Sequence, residues 1–359
     1  MTLALDQLGW RPSLAAAFAP HAAAGFQPAR VSLEHTHIYR VLDVGGERLA
    51  RIAGRLRHQA AGRADYPAVG DWVAIEPAPH GGNARIRAVL PRFSRFSRRA
   101  AGDPTEEQVV AANVDVVLLV SGLDHDFNPR RIERYLLTAC DSGASPVIVL
   151  NKADLVDDVA PFVQEVERIA QGTAVHAVST RRPESLDPIR ALLTRGRTGT
   201  LLGMSGVGKS SIVNALIGEE RLRTRDVRAS DSRGRHTSAA RQLVLLPGEG
   251  ILIDTPGMRE LQLWDTGGAL AGAFQDVDAL ALACRFRDCR HAAEPGCAVL
   301  AAVERGDLSE SRLGNYRKLQ AEQAHASCQQ DQRAQIEEKR RWKVLTKAAN
   351  KRIREKGRS

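Results

Sequence analysis

Apolar and polar positions alternate with a period of two over several short stretches between residues 31 and 98. These are VSLEHTHIYRVLD, ERLARIAGRLR, VGDWVAIEP and ARIRAVLP, separated by Gly45-Gly46 and by proline-containing turns. Alternation of this kind marks strands buried on one face, and several short ones in a row predict a small β-barrel or sandwich. We place it at 31–100, after an N-terminal extension at 1–30. From about residue 105 the pattern changes. VDVVLLV (114–120) is a continuous apolar, β-branched run, as in a strand covered on both faces. After Pro129, Ile132, Leu136 and Ala139 fall on one helical face. PVIVL (146–150), AVHAV (174–178), TGTLLG (198–203), LVLLP and GILID (ending at 254) continue the series. Strands alternating with helices predict a parallel sheet with helices on both sides, over 105–272. Residues 273–359 hold a cysteine cluster, a polar helical segment from about 309, and a basic tail.

The 359 residues suffice for two or three domains, and an apolar content of 43% is that of a globular protein. Aromatics are only 4%, which argues against a stacking surface for single strands as the main device. The net charge of +9 fits either a mildly basic globule or a polyanionic partner. Its uneven spread favours the partner. Residues 50–100 hold ten arginines against Asp65, Asp71 and Glu76, and residues 339–359 hold ten Lys or Arg against Glu355 alone. The early apolar run LAAAFAPHAAAGF is interrupted by Pro20 and His21 and does not read as a secretory signal. No apolar stretch is long enough to span a bilayer. These features predict a cytoplasmic chain without membrane association, and monomer is the default state.

Gly203-Met204-Ser205-Gly206-Val207-Gly208-Lys209-Ser210, followed by Ser211, fits the G-x4-GK[ST] phosphate loop at every fixed position. It follows a predicted strand and opens a predicted helix, the context in which backbone N–H groups converge on phosphates. Lys209 would sit on the β- and γ-phosphate oxygens, and the Ser210 hydroxyl would ligate magnesium. The loop alone does not choose between nucleotides. Asn151-Lys152-Ala153-Asp154, directly after PVIVL, does: its aspartate accepts from two donors on the guanine edge that adenine does not offer in that pattern. Ser179, after AVHAV, is a further candidate contact to the base. Asp254-Thr255-Pro256-Gly257 ends the strand GILID. Asp254 would hold magnesium through water, and the Gly257 N–H would face the γ-phosphate. The order of these elements places the phosphate loop after the guanine-reading element, which indicates a circularly permuted GTPase domain. The segment after Gly257 runs on into the cysteine-bearing region.

That region carries Cys284-x4-Cys289-x-His291-x5-Cys297. Three thiolates and one imidazole within fourteen residues make a closed tetrahedral set, the pattern of a structural zinc site. Cys140, on a predicted helix, reads as a core thiol and Cys328 as a surface one.

Together these residues resemble the RsgA (YjeQ) family of bacterial circularly permuted GTPases. The likeness runs over most of the chain and is carried by the basic barrel, LNKADL, GMSGVGKSS, GRHTS, DTPGMREL and the Cys/His cluster. It implies an OB-fold at the N-terminus and GTP hydrolysis stimulated by the 30S subunit. It also implies binding to 16S rRNA and a role in late 30S maturation. The family's switch element falls on Gly234–Ser238, with Thr237 as the switch threonine on magnesium and His236 as the residue that orients the attacking water. Met258 follows Gly257 where Ras-like enzymes carry a catalytic Gln, and a thioether cannot orient water by hydrogen bonding. Two other readings stay open on the residues alone. One is an RNA-binding module whose nucleotide site only senses GTP. The other is a GTPase acting on another RNA such as tRNA, because charge does not separate one RNA from another.

Overall fold

Five strands close the N-terminal barrel: β1 (Gln27–His35), β2 (Ile38–Asp43), β3 (Gly46–Ile52), β4 (Trp72–Glu76) and β5 (Ala84–Val89). Their order is β1-β2-β3-β5-β4, with β4 returning to β1, and only β3–β5 is parallel. That is the topology of an OB-fold. The computed structural model describes residues 3–35, 38–78, 82–100, 103–125, 127–170, 172–218, 241–254 and 274–321. The inward positions of the period-two pattern, including Val31, Val41, Ala50, Val73, Ile75 and Ile86, form the barrel core. The stretch ERLARIAGRLR is not one strand, as its pattern suggests. β3 stops at Ile52 and a six-residue helix at Gly54–Gln59 takes over where the alternation fails, with Leu56 packed on the core.

The N-terminal extension is folded from residue 3. A helix at Pro12–Ala23, α1, starts with proline in its first turn, where a missing N–H costs nothing. Leu8, Leu14 and Phe18 pack with Trp72 and Leu90 of the barrel. Trp10 sits edge-on to Trp72 with ring centroids 4.6 Å apart. We number the Gly54–Gln59 helix α2. An antiparallel ribbon, β6 (Arg95–Ala100) with β7 (Asp103–Ala112), follows the barrel.

The second region of the same unit contains β8 (Val116–Gly122), α3 (Pro129–Ser142), β9 (Ser145–Asn151), α4 (Ala160–Ile169), β10 (Val175–Ala177) and α5 (Asp187–Leu192). It continues with β11 (Thr198–Leu202), α6 (Lys209–Ile217), β12 (Gln242–Leu245) and β13 (Ile251–Asp254). The strand order is β10-β9-β8-β11-β13-β12. All neighbours are parallel except β12, which returns antiparallel to β13. The expectation of a purely parallel sheet fails at β12 because five residues join it to β13, too few for a crossover. Val116, Leu118, Val120, Val149, Leu201 and Leu252 supply strand side chains to a core shared with Ile212 and Val213 of α6.

Barrel and parallel sheet are continuous, because Leu33 of β1 pairs with Gln242 of β12. Arg30, fully buried, ties the same junction together. Its guanidinium donates to the carbonyls of Leu8 (2.6 Å), Gly70 (3.1 Å) and Asn113 (3.0 Å). Burial lowers its pKa to about 10, so the side chain stays charged at neutral pH, and the three carbonyls satisfy it.

The chain divides into two compact units, Met1–Trp264 and Asp265–Ser359. In the second, α7 (Gln275–Ala281), α8 (Ala298–Arg305) and helical residues 310–321 enclose a small core of Phe274, Val277, Val299, Ala302, Leu313 and Tyr316. Cys140, expected in a core, is exposed on α3. It lies one residue past Ala139, about 100° around the helix from the buried stripe. Cys328 lies outside the described residues. Among the described residues no helix is long and apolar enough to cross a membrane.

Candidate functional site

The chemistry-bearing motifs collect at the carboxyl ends of β8, β9, β11 and β13, where ligands bind in open α/β sheets. β11 is buried along its whole length and delivers the chain to Gly203–Gly208, after which Lys209 opens α6. Val207 is buried and anchors the loop, whereas Ser205 and Gly206 face solvent. Gly208 has φ of 92°, and a Cβ built on it would lie 2.2 Å from Asn151 Nδ2, so only glycine fits there. The Lys209 ammonium donates to the Gly203 carbonyl at 2.6 Å and also to that of Met204. Its charge is thus held inside the loop. Ser210 and Ser211 lie in the first turn of α6.

β9 ends in Asn151, whose amide Nδ2 donates to the Val207 carbonyl at 2.8 Å. The Asn151–Asp154 element is therefore fixed directly to the Gly203–Gly208 loop. Lys152 adopts a left-handed backbone (φ 64°) and its ammonium pairs with Asp124, in the loop after β8. The Ser179 hydroxyl, buried after β10, donates to Asp154 at 2.5 Å, and Arg181 reaches the other carboxylate oxygen at 3.3 Å. The Ser179 bond holds the Asp154 carboxyl below its ordinary pKa, with Arg181 adding to the effect. Asp154 is therefore ionised at neutral pH and can accept hydrogen bonds through both oxygens.

Asp254 ends β13, and Thr200 of β11 pairs with Ile253 immediately before it. Burial raises the Asp254 pKa, and the nearby Lys209 charge pulls it back down. Gly257, Met258 and the Gly234–Ser238 element with His236 and Thr237 lie outside the described residues. Sequence reasoning missed Asp124 and Arg181. Asp124 follows β8 as NKAD follows β9, so its position at the end of an adjacent parallel strand was the available signal. Arg181 carries no such signal.

In the C-terminal unit, Cys284, Cys289, His291 and Cys297 present ligand atoms all within 4.8 Å of one another. Cys284 Sγ and Cys297 Sγ are 3.8 Å apart, and His291 Nδ1 lies 3.6 Å and 3.4 Å from them. A tetrahedral ion with zinc's bond lengths requires about 3.8 Å between sulfurs and about 3.5 Å between sulfur and nitrogen. The spacing fits. Cys297 is also the N-cap of α8, its sulfur accepting from the Leu300 N–H. Burial lowers the His291 pKa, which keeps its ring neutral, as a metal ligand requires. Burial and the neighbouring thiols push Cys289 up to about 11. A cation at the centre removes that obstacle to thiolate formation. The four residues can hold one metal ion.

Comparison with known proteins agrees with this geometry. The RsgA GTPase family model matches residues 89–264. The chain is 47% identical to the small ribosomal subunit biogenesis GTPase RsgA of Opitutus terrae, covering 99% of this chain and all of that one. It is 40% identical to the protein of the same name from Syntrophotalea carbinolica, covering 98% and 99%. Among solved structures it is similar to YjeQ from Thermotoga maritima, with 27% identity, a TM-score of 0.62 and coverage of 83% of this chain and 99% of that one. YloQ, described as a circularly permuted GTPase, aligns with a TM-score of 0.61 at 23% identity, over 84% and 96% of the chains. A phosphate loop placed after its guanine-reading element, on a sheet shared with these permuted structures, leaves one assignment: the chain belongs to the RsgA GTPase family and is a circularly permuted enzyme that hydrolyses GTP.

Proposed function

We propose that this GTPase acts in biogenesis of the small ribosomal subunit, in late 30S maturation, with turnover stimulated by the subunit. The observation that carries the nucleotide assignment is the Asn151–Val207 hydrogen bond, which fixes the base-reading element against the phosphate loop. Asp154 and Ser179 read guanine, and Asn151 and Lys152 support them. Residues Gly203 to Ser211 cradle the phosphates, and Lys209 leaves its two loop carbonyls for phosphate oxygens. Ser210, Thr237 and Asp254 hold magnesium, whose charge offsets that developing on the transferred phosphoryl group. Gly257 donates to the γ-phosphate, and His236 orients the attacking water. The Cys284, Cys289, His291 and Cys297 set holds one structural zinc.

The names of the near-full-length relatives support the ribosomal assignment. So does the barrel, which exposes Arg51, Arg55, Arg57 and Arg85 where a phosphate backbone of 16S rRNA would lie. The protein works as a cytoplasmic monomer in this reading. The test is GTP turnover with and without purified 30S subunits, with Lys209→Ala as a control that abolishes it. Stimulation by 30S and not by tRNA is the expected result; equal rates in the presence and absence of 30S overturn it. Co-sedimentation with 30S in a non-hydrolysable GTP analogue and not in GDP is expected in parallel.

A further inference from the structure

One rung of the sheet crosses from the barrel to the nucleotide site. Leu33 of β1 pairs with Gln242 of β12, and Gln242 pairs in turn with Asp254 of β13. Among the described residues β1 pairs with β12 at this one position. Beside the rung, Glu34 Oε2 lies 3.6 Å from Arg241 Nη1. Both side chains are largely withdrawn from water, 29% and 14% exposed. Burial raises the Glu34 pKa and lowers that of Arg241, so each ion has lost hydration that the other restores in part. Arg63, Arg98 and Asp71 also act on Glu34 through space, and Arg98 on Arg241. Removing one partner of such a pair leaves the other charge buried and uncompensated.

The position of Arg241 gives the pair a consequence beyond stability. Arg241 stands four residues after Thr237 and immediately before β12, whose first residue faces Asp254. Whatever fixes the start of β12 therefore bears on the rung that carries Asp254. The barrel reaches the start of β12 twice, through the Leu33–Gln242 pair and through Glu34 beside Arg241.

We propose that Glu34 and Arg241 are positioning residues for GTP hydrolysis, a charged clasp by which the barrel sets the geometry of the start of β12 and of Asp254. Neither residue touches nucleotide; they act through β12. The inference rests on the function proposed above, and it makes the barrel part of the catalytic apparatus as well as an RNA grip. An RNA that loads the barrel thereby has a path, one rung long, to the site of hydrolysis.

The experiment uses the full-length chain with Glu34→Gln, Arg241→Gln and the charge-reversed double variant Glu34→Arg/Arg241→Glu. GTP turnover is measured with and without 30S, together with affinity for GDP and the melting temperature. Each single variant should lower kcat about tenfold, with KM for GTP and GDP affinity within about twofold of wild type. The double variant should recover at least half of the lost rate. Unchanged kcat in both single variants overturns the proposal. So does a loss that the double variant fails to restore, or a fall in GDP affinity as large as the fall in kcat. Should Glu34→Gln not fold, Glu34→Asp keeps the charge, shortens the reach and is judged by the same criteria. If 30S fails to stimulate the wild type, the ribosomal reading falls, and the clasp is still judged on the basal kcat of the same variants.

Discussion

The side-chain amide of Asn151 donates to the backbone carbonyl of Val207 at 2.8 Å, joining two elements 56 positions apart in the chain. Both groups are buried, so truncation strands an unpaired carbonyl at a cost of about 1–3 kcal/mol. Asn151→Ala is therefore expected to weaken GDP binding roughly tenfold. Because the strut acts on the loop and not on the base, Asn151→Ala added to the xanthine-preferring Asp154→Asn variant should lower XDP affinity by a similar factor. Fluorescent-nucleotide titration of both ligands checks this; an effect confined to GDP would place Asn151 on the base instead.

Gly208 approaches the same amide from the other side. Its left-handed backbone costs an L-residue about 1–2 kcal/mol, and a Cβ would meet Asn151 Nδ2 at 2.2 Å. Gly208→Ala should abolish measurable GTP turnover while the barrel stays folded, as circular dichroism and a turnover assay would show together. At Gly206 a Cβ meets nothing within 4 Å although φ is 85°. Gly206→Ala should keep the apo fold and lose nucleotide affinity to a lesser degree.

Asp154 gives the site a pH signature. Its pKa is depressed, first by the Ser179 hydroxyl, so the ionised form required for guanine persists below the ordinary carboxylate value of about 3.9. A depressed carboxylate contributes its favourable term above the unfolded pKa and loses it as pH falls through the folded one. GDP affinity measured by calorimetry should accordingly be level from pH 7 to about pH 5 and decline only in more acidic buffer. Ser179→Ala removes the main cause and should move that decline to higher pH. Asp154→Asn replaces an acceptor with a donor facing the C2 substituent, and should exchange guanine preference for xanthine.

The pieces of this site that were legible in the sequence are those whose geometry is local. Gly203–Ser210 specifies its own turn, and the Cys/His spacing brings four ligands together within one short loop system. The β-branched runs after residue 105 gave the buried strands for the same reason, since covering on both faces leaves no polar alternation. Contacts between distant segments left no such trace. Neither Arg181 on Asp154 nor Asp124 on Lys152 has a spacing rule that would pair them. Arg30 reads in sequence as one more basic strand residue, yet it is buried against three carbonyls from separate segments. The ending of β3 at Ile52 was hidden by a helix too short to show a 3.6-residue period.

The cysteine cluster sits in a unit whose core is small, so its metal should carry much of the folding free energy. Purified protein should contain one zinc per chain by plasma mass spectrometry. Cys289→Ser should lower that to well under one, and chelation should melt α7 and α8 at temperatures where the first unit stays folded. A metal-free preparation that melts at the same temperature as the metallated one would refute a structural role.

Asp254 offers a trade between stability and turnover. Burial raises its pKa, so the ionised carboxyl is less favourable in the folded protein than in the unfolded chain, and the Lys209 charge offsets part of that penalty. The sign follows from linkage. A carboxyl with a raised folded pKa favours the folded state most at low pH, and that advantage is lost as pH rises through the folded value. Asp254→Asn removes the charge while keeping the shape, and should raise the melting temperature of the nucleotide-free protein at pH 7. In buffer acidic enough to keep the carboxyl neutral in both the folded and unfolded chain, the difference should vanish. The same variant should lose magnesium-dependent turnover by at least about a hundredfold, since the ion then lacks one of its anionic anchors. A variant both less stable and inactive would instead show Asp254 to be a structural carboxylate of the sheet, whose charge the fold needs even when the site is empty.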